Sequence, residues 1–180
     1  MTQKQAGFML LELVMGMALM VLIMSGVAGM LTNLIGHSVR ASDLIDRQQE
    51  ARWAVDMIAR DLRYATACTT RVGTGTAVEM VKTDSRGSSV KIGYKLVGTS
   101  GGYVLTRTYT YGTTAEASLL GNVKRGYVGA GYFTVTVTAS GTAVSQVHIV
   151  YKIGRDAADT NPAVAETTIY PLNGLTANLN

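Results

Sequence analysis

Between Lys4 and Arg40 the chain carries one formally charged side chain, Glu12, and the run over residues 8–35 is otherwise dominated by leucine, methionine, valine, isoleucine, alanine and glycine. Apolar residues lie all round a helical projection of this run rather than along one stripe, which predicts a helix held in apolar surroundings. At 1.5 Å per residue it would reach roughly 40 Å, against roughly 30 Å of bilayer hydrocarbon. Residues 8–36 are therefore expected to cross a membrane.

The pattern then changes. Leu44, Ala51, Val55, Ile58, Leu62 and Ala65 recur at spacings of three, four or seven. They draw one apolar stripe along a second helical segment, 37–66, with Arg47 and Arg60 read as lying off it. Asp43 and Arg47, and Asp56 and Arg60, set opposite charges four residues apart, and no proline occurs before Pro162. One continuous helix over about 8–65, roughly 87 Å long, is expected. Gly26, Gly29 and Gly36 each cost about 1 kcal/mol relative to alanine and are the expected points of bending or local melting.

After Cys68 the periodicity shortens to two. Short β-branched and aromatic runs alternate with glycine-rich turns, predicting strands over 77–82, 89–97, 103–111, 132–139, 144–153 and 167–170. Val90, Ile92, Tyr94 and Leu96 oppose Lys91, Gly93 and Lys95, and Phe133, Val135 and Val137 oppose Thr134, Thr136 and Thr138. That is the pattern of antiparallel strands with one wet face. Such a sheet needs a cover, and the stripe from Leu44 to Ala65 is the amphipathic helix able to supply it. The expected fold is α+β, with a β-rich domain over 67–180.

Composition and charge narrow the function. In 180 residues the charged fraction is 16%, below the roughly 25% usual for soluble domains. One cysteine, Cys68, excludes an intrachain disulfide, and with only His37 and His148 beside it a Cys/His zinc site is not expected. Cys68 reads as a small buried apolar residue, and His148, alternating with Val147 and Ile149, as a residue of the outer sheet face. No hydrolase elbow, P-loop or zinc-protease motif occurs, so no enzymatic activity, catalytic residue or cofactor is expected. The stretch 126–131 reads as a flexible loop. Asp156, Asp159 and Asn161, ahead of Pro162, read as turn formers; they could offer oxygens to calcium, but their spacing is not that of an EF-hand. Lys82, Lys91, Lys95 and Lys152 read as solvated strand faces and edge protection. They could form a basic patch, but the net charge of +4 is spread along the chain and does not by itself imply nucleic acid.

The informative position is Glu12. An ionisable group in a spanning helix is costly and marks a specific role with a partner. If the chain were cut after Gly7, Phe8 would carry a free α-amine, and Glu12 of a neighbouring subunit could pair with it in an apolar bundle. The alternative is a signal anchor that tolerates one glutamate near its interfacial end.

Taken together, the polar leader 1–7, the Gly7-Phe8 junction, Glu12 and the uninterrupted apolar helix resemble the class III signal of type IV prepilins and type II secretion pseudopilins. The segment 47–65, RQQEARWAVDMIARDLRYA, resembles that of the larger minor pilins and pseudopilins, the PilW-like and GspJ-like subgroup. The strings Tyr94-Lys-Leu, Leu105-Thr-Arg107 and 119–123 are similar to that subgroup's sheet. The resemblance implies a pilin-like fold, cleavage after Gly7 by a membrane prepilin peptidase, N-methylation of Phe8, and filament assembly through Glu12 and Phe8. Implied partners are other pilin or pseudopilin subunits, the peptidase, the membrane and an inner-membrane assembly platform; nucleic acid is a partner of DNA-uptake pili without a supporting residue pattern here. The implied location is the inner membrane, single-pass with the C-terminal domain outside the cytoplasm, and then an extracellular pilus or a periplasmic pseudopilus. The chain lacks the helix proline and C-terminal cysteine pair of many major pilins, which fits a minor subunit, and a bulky β domain suits the filament's tip or initiation complex better than its repeating shaft. Counting Lys4 against Arg40, Arg47 and Arg52 would place the C-terminal domain inside; the prepilin resemblance and the nearby Asp43, Asp46 and Glu50 outweigh that count. The rival is a secreted or membrane-anchored binding domain that does not polymerise, either cut near residues 26–28 or keeping its leader.

Overall fold

The structure, a computed structural model, describes residues 3–71, 73–112, 114–119, 126–171 and 175–178. Helix α1 spans Gln3–Arg63. It starts ahead of Phe8, inside the predicted leader, and remains helical through Gly26, Gly29 and Gly36. Their flanking leucines, methionines and alanines are good helix formers, and propagation is cooperative enough to carry isolated glycines. Arg60 and Arg63 lie in its last turn, where cations complement the partial negative charge of the helix end.

Among the described residues ten strands follow: β1 Ala67–Arg71, β2 Gly73–Gly75, β3 Ala77–Thr83, β4 Ser89–Thr99, β5 Gly102–Tyr111, β6 Thr114–Leu119, β7 Phe133–Ser140, β8 Ala143–Ile153, β9 Ala163–Ile169 and β10 Thr176–Asn178. They form one sheet in the order β2-β7-β8-β10-β1-β3-β4-β5-β6, with β9 paired to β8. The pairings are antiparallel, as the two-residue repeats predict, with one addition: β10 runs parallel to β1. A returning C-terminal segment must lie beside a strand laid down just after the helix, and its direction there is set by the path of the chain rather than by a hairpin. On the side of β8 away from β7, β9 covers Val147–Ile153 and β10 meets only Ala143. The short β10 therefore stitches two hairpin arrays together.

The chain comprises two compact units, Met1–Asp43 and Leu44–Asn180. In the second, α1 packs on the sheet through Ala51, Ala54, Val55, Ile58 and Leu62, all buried. Opposite them lie the inward residues of the two-residue repeats: Val78 and Met80; Val90, Ile92 and Tyr94; Phe133, Val135 and Val137; Val147, Ile149, Tyr151 and Ile153. Each large side chain so buried contributes about 1.5–3 kcal/mol.

Several expectations need correction. Leu44 is 40% exposed, outside the core. Arg47 is buried, because it stands one turn before Ala51 on the same face. The strand predicted over 167–170 begins at Ala163, and β1, β2, β6 and β10 were not expected; they are short or alanine- and threonine-rich, without a clear alternating pattern. The stretch 126–131 is pinned rather than flexible. Tyr127 and Gly154 exchange both backbone hydrogen bonds at 2.8 Å, Tyr103 N–H donates to the Val128 carbonyl at 3.0 Å, and Val128 is buried. Gly102 makes this possible: its φ is +129°, and a Cβ there would sit 3.1 Å from the Tyr127 ring and 3.2 Å from the Val128 oxygen.

Candidate functional site

The apolar part of α1 presents seventeen large side chains between Leu10 and Ile35, all exposed, from Val27 at 48% to Met30 at 72%. At about 1.5–3 kcal/mol for burying each one, the hydrophobic stabilisation left unrealised is on the order of tens of kcal/mol. That is several times the roughly 5–15 kcal/mol by which a domain is stable. The helix is long and apolar enough to cross a membrane. Its hydroxyls suit that setting: Ser25 Oγ donates to the Leu22 carbonyl at 2.8 Å and Thr32 Oγ1 to the Ala28 carbonyl at 2.6 Å, so both are satisfied within the helix.

Glu12 is not satisfied in that way. It is exposed and makes no hydrogen bond or ion pair among the described residues. Its neighbours on the same helical face, at three, four and seven positions on, are Met15, Gly16 and Leu19, which offer no donor. Gly7 and Phe8 belong to α1 by backbone, and the surroundings of their side chains, together with the expectations placed on them, fall outside the described residues.

In the second unit, two polar anchors fasten α1 to the β domain. Asp61, one turn beyond Ile58, accepts hydrogen bonds from the Tyr94 hydroxyl and from Arg107 Nη2 at 2.9 Å, with Lys82 Nζ at 3.9 Å. Arg107 Nε also donates to the Tyr94 hydroxyl at 3.1 Å. The register makes this triad: Tyr94 of β4 and Arg107 of β5 are direct cross-strand partners on the inner face. At the other end Arg47 Nη1 donates to Asp159 Oδ2 at 3.2 Å. Asp159 also accepts the backbone N–H groups of Arg155 at 2.6 Å and Asn161 at 3.0 Å. These two bonds, with the nearby arginines, hold its carboxyl below the ordinary range. Asp159 is thus committed to closing the Gly154–Pro162 loop.

The other expected positions separate. Cys68 is buried. His148 is partly exposed between buried Val147 and Ile149, with Nδ1 3.1 Å from Thr168 Oγ1. The four lysines do not share a patch, since Lys82 has the inward parity of Val78 and Met80 while Lys91 and Lys95 stand on the opposite face.

No family model, curated protein or solved structure matches this chain.

The sequence pattern does not mark Asp61, Tyr94 and Arg107 as a site. The available clue was a charge falling three residues after Ile58, inside an apolar stripe, and a second charge at an inward position between Leu105 and Tyr109. Burial and the Asp61 carboxylate push the Tyr94 hydroxyl well above its ordinary range; burial, reinforced by the charge of Glu50, does the same for Tyr151. The Tyr151 hydroxyl and Glu50 Oε1 are buried without a hydrogen-bond partner, and burial raises the Glu50 carboxyl.

A raised tyrosine pKa means that the folded chain keeps its proton when the unfolded chain, titrating near pH 10, has begun to lose it. Stability is therefore full below about pH 10 and falls as the pH rises above it. Urea denaturation of the detergent-solubilised chain should show a lower midpoint at about pH 11 than at pH 8. Tyr151→Phe, which deletes an orphaned hydroxyl, should flatten that decline and cost under about 1 kcal/mol at pH 8.

Proposed function

We propose that the chain is a minor pilin or pseudopilin, a structural subunit of a type IV pilus-like filament that does no chemistry itself. The observation that carries this reading is Glu12: an exposed carboxylate without a partner among the described residues, set in a helix whose apolar side chains are uncovered on every side. Prepilin peptidase would cut after Gly7 and methylate the new Phe8 amine. Before assembly, the apolar helix holds the subunit in the inner membrane with the β domain outside the cytoplasm. During assembly the helix leaves the bilayer sideways, and extraction is tolerable because a bundle of like helices buries the same apolar surface again. Glu12 then meets the amine of a neighbouring subunit, each charge compensating the other where water is scarce.

The β domain supports the arrangement by being self-sufficient. Its core closes on the second part of α1, so it needs no cover from the apolar part. The buried, paired Arg47 also weakens the charge count that would place this domain inside, because that cation is held by Asp159 rather than displayed next to the bilayer.

The test is fractionation of host cells. Filaments sheared from the surface or enriched from the periplasm should contain the chain. Its confinement to the membrane fraction with the leader attached would instead identify an anchored, non-polymerising binding domain.

A further inference from the structure

Beside the last turn of α1, a cleft of about 290 Å³ opens over β3, β4 and β5, with Asp61 in its wall. The strand register builds it. Val90 and Ile92 of β4 are buried and form its floor; Lys82 is the β3 partner of Val90, Tyr109 the β5 partner of Ile92, and Arg107 the partner of Tyr94 one step further along. Lys82 and Arg107 therefore stand on the two strands flanking that floor, and both approach Asp61. Thr83 and Ser85 complete the rim. The rim is set by the β3–β4 turn, in which Asp84 N–H donates to the Ser88 carbonyl at 2.8 Å and Gly87 N–H to the Asp84 carbonyl at 2.9 Å.

Asp61 does not use up these two cations. Lys82 Nζ stays 3.9 Å from Asp61 Oδ1, too far for a hydrogen bond, and otherwise lies over the Tyr64 ring. Arg107 spends Nε on the Tyr94 hydroxyl and Nη2 on Asp61, which leaves Nη1 without an acceptor among the described residues. Two cations against the one Asp61 carboxylate leave a single surplus positive charge, while Asp84 on the rim is offset by Arg86 in the same turn. The hydroxyls of Thr83 and Tyr109 make no hydrogen bond among the described residues, and Ser85 Oγ, which donates to Asp84 Oδ1 at 2.8 Å, keeps its lone pairs.

We propose that this cleft binds a small hydroxylated monocarboxylate of the uronic acid class, its carboxylate bridging Lys82 Nζ and Arg107 Nη1 and its hydroxyls meeting Thr83, Ser85 and Tyr109. Charge selects the anion. One carboxylate cancels the surplus, whereas a phosphate monoester, at about −1.5 to −2 near pH 7, would leave an uncompensated anion beside Asp61. Donors on both sides of the floor let each carboxylate oxygen accept one charge-assisted bond. The unspent hydroxyls select the body, since a sugar ring can exchange hydrogen bonds with them and an aliphatic chain cannot. The volume lies at the small end of ligand pockets, roughly 300–1,000 Å³, which suits one ring. This site is independent of Glu12 and of the filament reading.

The test is saturation-transfer NMR titration of the full chain, in micelles of a detergent without a sugar headgroup, with glucuronate, glucose, acetate and glucose 6-phosphate. Glucuronate should bind saturably and at least about ten-fold more tightly than any of the other three. Lys82→Ala should weaken glucuronate at least about ten-fold, and Lys82→Arg should restore most of the loss. Thr83→Ala with Ser85→Ala, two exposed positions, should lower glucuronate affinity towards that of acetate and leave acetate unchanged. Unsaturable glucuronate binding, equal binding of glucose, acetate or the phosphate ester, or glucuronate affinity unmoved in both the Lys82→Ala and the double alanine variants, each overturns the assignment. An unaltered urea midpoint in the variants shows that the loss is one of binding rather than of folding, and a loss confined to variants with a lowered midpoint also overturns it.

Discussion

Replacing Glu12 by alanine is expected to leave membrane insertion and leader cleavage unchanged while abolishing incorporation of the subunit into filaments. Insertion has nothing to lose, since a carboxylate in a spanning helix opposes it by up to about 3 kcal/mol and alanine removes that cost. Cleavage depends on the Gly7-Phe8 junction, which the substitution does not touch. Incorporation is different, because a mutant subunit would bring an uncompensated Phe8 ammonium of its neighbour into an apolar bundle. Leaving one charge of such a pair unmatched costs about 3–5 kcal/mol, on the order of a hundredfold or more in equilibrium. Glu12→Gln keeps the length and a hydrogen-bond acceptor but not the charge, and should fall between the two. The readout is the ratio of the chain in sheared filaments to that in membranes, and an unchanged ratio for the alanine variant would remove the pairing from the account.

Asp61→Ala should have the largest effect on the β domain, at about 3 kcal/mol of stability in urea denaturation of the solubilised chain. Asp61 is the shared acceptor of the Tyr94 hydroxyl and Arg107, with Lys82 close by. Without it, a buried tyrosine hydroxyl and a partly buried guanidinium lose their common partner together. Arg107 is about one quarter exposed at its side chain, so water can recover part of the loss. Asp61→Asn keeps an acceptor for Tyr94 and should cost roughly half as much. Arg107→Ala and Asp61→Ala should be strongly non-additive, because either removes the same contact. A cost below about 1 kcal/mol for Asp61→Ala would mean that the triad is decoration on a fold held by apolar packing alone.

The parts of this molecule legible in its sequence are those where one periodicity dominates. The two-residue repeats at Val90, Ile92 and Tyr94 and at Phe133, Val135 and Val137 can bury their apolar side on one face only, and the structure buries it. The run around Leu10 to Ile35 is uniformly apolar and emerges as a helix with every large side chain uncovered. Legibility fails where a position obeys tertiary rather than local chemistry. Arg47 and Asp61 have the spacing of core residues and the chemistry of surface ones, and the conflict is resolved only by Asp159 and Arg107, which lie 112 and 46 residues away in sequence. Strand β10, three residues long, carries no period of its own, and its parallel pairing with β1 depends on where the chain returns. The stretch 126–131 has the glycines of a loose loop, yet its order comes from Gly102 and Gly154, on which it rests.

The proposed pairing of Glu12 needs an amine that exists only after cleavage. Intact-mass and N-terminal fragment measurement of the chain isolated from its host should find a mature polypeptide beginning at N-methylated Phe8, the terminus that Glu12 of another subunit is proposed to meet. A chain that still begins at Met1, or one that begins near Gly29, would contradict it.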